Sequence, residues 1–382
     1  MRILFMVFHF PPMSGGGSVV PAGIANTLAN LGHEVTVVTP NVVWIGKRYE
    51  PPMNSHVSII RVDTPASSNL KIAARLCKSN LQRKCVTLGK EKEFDFIFTI
   101  FHPFHLVPNA AVYCAKKLGI PVLIKIDDAI YQRSTGLKSI QRKIEKFLNR
   151  KALSNSDRLL VSNEGTREIV SSYYNIPREK IAIIPNGIDV SFFDIKNKKN
   201  EQQIVFSGAM YYHRGLDILL DAATQIVKEL PDTKFVLLGE GPELAKLQSE
   251  VAKKNLSKNV EFKGWAPRDD IPKYLSESCV GIGPLRSTDV TKNALPIKVL
   301  EYMAATLPIV AARDTLQNDI LTDGQNGYFI NDASDLAKKI VLLLKNDKLR
   351  EKMGGMSREM VAKFDWKNVV GLILNEYQKV RK

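Results

Sequence analysis

A chain of 382 residues is too long for one core of ordinary size and comfortable for two. With 45% hydrophobic and 24% charged residues it has the composition of a folded protein, which excludes intrinsic disorder, and no apolar run is long enough to cross a bilayer. The net charge of +15 is uneven, with +12 on residues 1–183 and +3 on residues 184–382.

The opening Met1–Phe8 is too short for a signal peptide, and Pro11-Pro12 and glycines follow it where a cleavage site would stand. Ile3–Phe8 therefore reads as a first buried strand. Ser18–Leu31 sets Val20, Ile24, Leu28 and Leu31 at helical spacing, and Glu34–Thr39 alternates as a second strand. Between strand and helix lies Pro12-Met-Ser-Gly-Gly-Gly-Ser18, where Gly15, Gly16 and Gly17 let successive backbone N–H groups form an anion-binding concavity. The loop fails as a dinucleotide fingerprint. Val20 replaces the third glycine, and Thr39-Pro-Asn-Val supplies no acidic residue for a ribose, which counts against a nicotinamide enzyme.

Two stretches, Lys71–Lys92 and Lys138–Lys151, carry much of the basic excess. In the second, Ile140, Ile144, Phe147 and Leu148 fall at helical spacing, making a basic amphipathic helix. It suits an anionic membrane or a phosphorylated partner, and equally a solvated face packed on its own domain. No nucleic-acid motif accompanies the charge. Phe94–Ile100, Pro121–Ile126 and Arg158–Ser162 are further strands separated by helical stretches, the pattern of a parallel sheet covered on both faces. His102-Pro-Phe-His105 and Asp127-Asp128 stand at two strand ends. The flanking phenylalanines favour satisfied, partly buried histidines, and Asp127 reads equally as a helix cap, a surface ion pair or a reactive carboxylate.

Ile181-Ala-Ile-Ile-Pro-Asn-Gly-Ile-Asp189 and Asn197-Lys-Lys-Asn200 read as a strand, a turn and a polar linker. The rhythm then restarts, with strands at Gln203–Ser207, Lys234–Leu238, Val260–Lys263, Cys279–Gly283 and Pro308–Ala312. Helices fall at Gly215–Leu230, Pro242–Lys254, Asp269–Ser276 and Pro296–Ala305. The expectation is α/β: two Rossmann-like doubly wound domains, 1–190 and 200–365, facing a central cleft, with a helix over 366–382 that can cross back onto the first. Cys77, Cys85, Cys114 and Cys279 show no ligand spacing, so reduced thiols in a cytosolic protein are expected.

The strongest local signal is Asn293-Ala-Leu-Pro-Ile-Lys-Val-Leu-Glu-Tyr-Met-Ala-Ala305, followed by Pro308-Ile-Val-Ala-Ala312. A helix opening at Pro296 offers unpaired N–H groups and a positive dipole end for a diphosphate. Lys298 adds a full charge in the same turn, and Glu301, three residues on, shares that face and can accept ribose hydroxyls.

These residues resemble the retaining family-four glycosyltransferases, whose fold is GT-B and whose signature is Glu-x7-Glu followed by an apolar helix and strand. The second Glu matches Glu301, which the resemblance assigns to the nucleotide ribose. The first, on the sugar side, is Asn293 here. Pro185-Asn-Gly-Ile-Asp189 resembles the family's interdomain segment, and Leu238-Gly-Glu-Gly-Pro242 its following strand, turn and helix. Phe206-Ser-Gly-Ala-Met-Tyr-Tyr-His-Arg-Gly-Leu-Asp217 is similar to the segment whose Arg and Lys neutralise the leaving diphosphate. Gly208 and Arg214 keep their places there, and Ala209 stands where the Arg would be.

The resemblance thus implies a donor site of Gly208, Arg214, Asn293, Lys298 and Glu301, with less support for His213 and Arg286. It implies a glycine loop (Gly15, Gly16, Gly17) and acceptor side with His102, and Asp127 where the family commonly has a His, able to orient or deprotonate an acceptor hydroxyl. Asp127, Arg214 and Lys298 are the candidate catalytic residues. The expected substrates are a nucleoside-diphosphate sugar and a glycan or lipid-linked acceptor. No cofactor and no nucleic-acid partner are expected, and no metal, since Asp-x-Asp is absent. The expected location is the cytoplasm, at the inner face of the cell membrane. Two rivals are a nucleotide-sugar 2-epimerase of the same fold, disfavoured by Asn293, and a non-catalytic nucleotide-sugar-binding subunit, suggested by Ala209 and Asn293.

Overall fold

The computed structural model describes residues 1–13, 15–44, 46–127, 137–194, 202–292 and 295–381. The chain divides into two compact units: Met1–Gly187 with Trp366–Lys382, and Ile188–Asp365. The division falls inside the Pro185–Asp189 segment.

Unit 1 is built on strands β1 (Arg2–Met6), β2 (Glu34–Asn41), β3 (Val57–Asp63), β4 (Phe96–Phe101), β5 (Val122–Ile126), β6 (Arg158–Val161) and β7 (Ile181–Ile183). They form one parallel sheet in the order β3-β2-β1-β4-β5-β6-β7. Its helices are α1 (Gly16–Asn30), α2 (Leu70–Leu76), α3 (Lys78–Glu91), α4 (Val107–Leu118), α5 (Leu137–Ser154) and α6 (Glu164–Tyr174). Ile3, Leu4, Phe5 and Met6 are all fully buried, so β1 reads as a continuous apolar run because helices cover both of its faces. Nothing in the sequence marks the edge strand β3. Its residues are half-buried or exposed, Ile59 among the exposed, so no clean alternation marks it.

Unit 2 repeats the scheme with β8 (Gln203–Ser207), β9 (Lys234–Leu238), β10 (Val260–Gly264), β11 (Val280–Ile282), β12 (Ile309–Ala312) and β13 (Gly327–Ile330), all parallel, in the order β10-β9-β8-β11-β12-β13. Helices α7 (Leu216–Glu229), α8 (Leu244–Lys253), α9 (Ile271–Ser276), α10 (Asp289–Lys292), α11 (Ile297–Ala304), α12 (Ala333–Leu344) and α13 (Asp347–Val361) complete it. Successive strand residues serve opposite faces. Ile204 and Phe206 pack with Leu219, Ala223 and Ile340, while Val205 packs with Val299, Leu300 and Met303 of α11.

The last helix, α14 (Trp366–Gln378), belongs to unit 1. Glu376 takes Arg158 at 2.5 Å, and Tyr377 stacks on Phe96 with ring centres 4.4 Å apart. The Trp366 indole fills space that only glycine leaves. A β-carbon on Gly23 would come within 2.5 Å of it, and one on Gly187 within 2.3 Å.

Candidate active site

The unit 2 site forms where β8 and β9 end. Gly208 follows β8 with φ +130°, a conformation closed to most side chains. Gly239 follows β9 and crosses it so closely that a β-carbon there would lie 2.2 Å from the Gly208 carbonyl oxygen. Gly239 is therefore a requirement of backbone packing as well as a turn glycine. Tyr302 of α11 locks this region from below, its buried hydroxyl accepting the Ser207 N–H at 2.7 Å.

Helix α11 begins at Ile297, with Pro296 in an extended conformation at its N-cap and no side chain capping it. Pro296 thus stands one residue outside the helix rather than in its first turn. In that turn the Val299 N–H donates to the Pro296 carbonyl at 3.0 Å, and the amino end of a helix in general favours an anion.

Lys298 follows immediately and is 8% exposed, yet its Nζ has no hydrogen-bond partner among the described residues. Its nearest company is the Phe206 ring, 3.7 Å below, and Gly208, where a β-carbon would lie 3.3 Å from Nζ. A cation–π contact contributes about 2 kcal/mol, while burying an ammonium costs on the order of several kcal/mol. The contact alone does not offset the burial. Desolvation, and then Arg214, push the Lys298 amine well below its ordinary range, and Glu301 partly opposes them.

Arg214 ends the 3-10 turn Tyr212–Arg214, held by Gly215 in the left-handed region (φ +72°) and by its own carbonyl, which accepts the Leu285 N–H at 3.0 Å. Burial lowers the His213 pKa, and so do Arg214 and Lys298, so three basic side chains share one locality. Arg286 does not join them. Its guanidinium pairs with Asp217, donates to the Tyr212 carbonyl at 3.2 Å and lies over the Tyr212 ring. Ala209 is exposed and brings no charge.

Glu301 is 5% exposed, and its Oε1 accepts from Arg268 Nη1 at 2.6 Å. Arg268 escaped the sequence reading because it sits in a short turn outside every periodic pattern. Thus Gly208, Arg214, Lys298 and Glu301 stand together in unit 2, whereas Asn293 lies outside the described residues.

In unit 1, Gly15 caps α1 with φ +98°, and Gly16 and Gly17 form the first turn of the helix itself rather than a free loop. All three are exposed. His9, missed in the sequence, packs on Gly17, where a β-carbon would lie 3.6 Å from its ring. His102 lies 5.7 Å and His105 6.0 Å from it, centre to centre, and the latter two stack at 5.5 Å. Burial keeps all three neutral: His9 is lowered to about 4 with His102 assisting, and His102 and His105 are also lowered. Asp127 follows β5 and faces a charge the sequence reading overlooked, Lys125 Nζ at 2.7 Å, which is fully buried and also donates to the Ile184 carbonyl. Asp128 is not among the described residues. All four cysteines are buried thiols outside any disulfide.

Two family models match in succession. The one described as Glycosyltransferase Family 4 covers residues 14–192, and the one described as Glycosyl transferases group 1 covers residues 188–360. The alpha-monoglucosyldiacylglycerol synthase of Acholeplasma laidlawii is 23% identical over 383 residues, 91% of this chain and 89% of that one. The N-acetyl-alpha-D-glucosaminyl L-malate synthase of Bacillus anthracis is 23% identical over 370 residues, covering 92% and 90%. Among solved structures, Anabaena HepE in complex with UDP is similar in fold, with a TM-score of 0.76 at 14% identity over 99% of this chain and 100% of that one. The chain belongs to the family-four glycosyltransferases of the GT-B fold.

Proposed function

We propose that the protein transfers a hexosyl group, with retention, from a nucleoside-diphosphate sugar to an acceptor hydroxyl. The observation that carries this reading is Lys298, a buried amine without a partner among the described residues, placed at the amino end of α11 and against Gly208. The diphosphate rests there, with Arg214 adding a second charge and Glu301 accepting the ribose hydroxyls. As the bond from the sugar's C1 to the phosphate oxygen breaks, negative charge gathers on the leaving diphosphate, and Lys298, Arg214 and the helix end stabilise it. The acceptor oxygen forms the new bond to C1 and passes its proton to the departing diphosphate, which leaves as the nucleoside diphosphate. With this charge supplied by the chain, the reading calls on no metal. Asn293 touches the donor sugar through hydrogen bonds rather than charge. Retention rests on the family resemblance.

The acceptor belongs to unit 1, where the Gly15–Gly17 helix start, His102 and Asp127 stand at strand ends. Asp127, its charge offset by Lys125, orients an acceptor hydroxyl. We assign the acceptor to lipid-linked or cell-surface glycan assembly, at the inner face of the cell membrane. No helix among the described residues is long and apolar enough to cross a bilayer. Instead Ile144 and Phe147 of α5 are 56% and 67% exposed beside exposed Lys143, Arg150 and Lys151, and Arg75 of α2 ties the exposed Ile72 and Leu76 to the same surface by pairing with Glu145. Apolar side chains ringed by cations suit an anionic lipid surface. The Acholeplasma relative is named for a diacylglycerol product, and HepE has been solved with UDP-glucose.

A thermal-shift panel of nucleoside-diphosphate sugars tests the donor, and Glu301→Ala tests the ribose. That change should cost about 1.5–3 kcal/mol of donor affinity. No stabilisation by any member of the panel would remove the reading. Sedimentation with phosphatidylglycerol vesicles tests the membrane part, where indifference to lipid charge would count against it.

A further inference from the structure

We propose that Arg268 is a positioning residue for the nucleotide ribose, holding the Glu301 carboxylate where it can accept the sugar diol. The inference rests on the assignment of Glu301 to the ribose, and it explains how a side chain on the buried side of α11 can serve there.

Arg268 opens the 3-10 turn Arg268–Asp270, which follows β10 and precedes α9. Its guanidinium is held by a hydrogen bond and set beside two aromatic rings. Nη1 donates to Glu301 Oε1 at 2.6 Å, and the group lies 5.8 Å from the ring centre of Phe192 and 6.0 Å from that of Phe193. The two aromatic rings belong to the 3-10 turn Ser191–Phe193, near the start of unit 2. Exposure of the paired side chains is only 19% for Arg268 and 7% for Glu301.

An isolated carboxylate at that depth would be costly, and free rotation would leave it aimed at nothing. Arg268 removes both problems with one bond. A carboxylate offers about four lone-pair directions over its two oxygens, and Arg268 takes one of them on Oε1. The remaining directions suffice for two ribose hydroxyls. Glu301 also offsets the charge of Lys298, so the arginine secures a carboxylate that works on both the sugar and the phosphate side of the nucleotide. A lysine at 268 would keep the charge but lose the planar fork that lies beside the aromatic pair.

The test is isothermal titration of the full chain with UDP, GDP and ADP, and then with the 2′,3′-dideoxy form of the tightest binder. The native protein should prefer the ribonucleotide. Arg268→Ala should weaken that ribonucleotide on the order of tenfold while leaving the dideoxy form unchanged, and Arg268→Lys should recover part of the loss. Melting temperatures of the variants establish that they are folded. Equal weakening of both nucleotides, or no weakening, would overturn the positioning role. Glu301→Gln separates the two assignments. If the ribose preference survives in that variant, or if the native protein binds none of the three nucleotides, the ribose reading itself fails. If it vanishes there but persists in Arg268→Ala, only the role of Arg268 falls.

Discussion

Gly208 and Lys298 are matched: the space a β-carbon would take at residue 208 ends 3.3 Å from the lysine amine, and the glycine's φ of +130° keeps other residues out. Gly208→Ala should therefore act twice. It should destabilise unit 2 by about 1–3 kcal/mol through backbone strain, and it should crowd the proposed phosphate seat. Urea unfolding and nucleotide titration of the same variant measure both. An alanine variant that binds nucleotide as tightly as the native protein would show that nothing approaches the backbone there.

Lys298→Met should separate function from stability. Replacing a buried amine that lacks a partner among the described residues by an apolar chain of similar length should raise stability by about 1–2 kcal/mol. The same change should lower nucleoside-diphosphate affinity on the order of a hundredfold. A variant that loses stability would mean the amine is satisfied in solution.

The Lys298 amine also predicts proton linkage. In the ligand-free protein its pKa lies well below the ordinary lysine value because of burial and Arg214. A bound diphosphate favours the charged form and raises it. Between the two values binding must take up a proton, so affinity should fall as pH climbs above the ligand-free pKa. Titration in two buffers of different ionisation heat would detect the uptake. Absence of any uptake in native protein from neutral pH up to the ordinary lysine range would contradict the placement of the phosphates.

The histidines of unit 1 make the opposite end of the pH scale informative. His9 is lowered from 6.5 to about 4 by burial and by His102. A base lowered on folding stays neutral in the native state while the unfolded chain takes up protons. Its share of stability is thus complete above pH 6.5 and lost as pH falls toward 4. The loss for His9 alone is on the order of 3 kcal/mol. His9→Gln should flatten the stability profile between pH 7 and 4.5 in denaturant unfolding, and an unchanged slope would show that His9 is solvated.

Trp366 supplies a mechanical prediction. Gly23→Ala or Gly187→Ala would drive a methyl group into the indole at 2.5 or 2.3 Å, so each should cost about 1–3 kcal/mol and loosen α14. Trp366 fluorescence, compared between variant and native protein, would report the displacement. Unshifted emission with native stability would mean the ring yields freely.

The legible parts of this sequence were those governed by local periodicity. Strands expected over Gln203–Ser207 and Lys234–Leu238 occupy those residues because central parallel strands are apolar throughout and bounded by turn residues. Strand β3 was lost for the converse reason, lying at an edge with mixed exposure. Lys298 and Glu301 were readable from their spacing on one short helix. Arg268, His9 and Lys125 were not, since each gains its meaning from a partner brought near by tertiary structure: Glu301, His102 and Asp127. Arg286 shows the reverse error. Its charge reads as available for phosphate, but Asp217, in the first turn of the neighbouring helix, pairs with it. Spacing reveals what a segment can do, while competition among partners is settled only in three dimensions.

The discontinuity of unit 1 bears on how the molecule is made. Its sheet ends at residue 183, yet Tyr377 and Glu376, which contact Phe96 and Arg158, follow the whole of unit 2 in sequence. During translation the first sheet must wait, without α14, while all of unit 2 is synthesised. Helix α14 can dock only after residues 366–378 have left the exit tunnel. A nascent chain stalled before residue 366 should accordingly expose an apolar surface that chaperones recognise, although all the strands of that sheet have long since been synthesised.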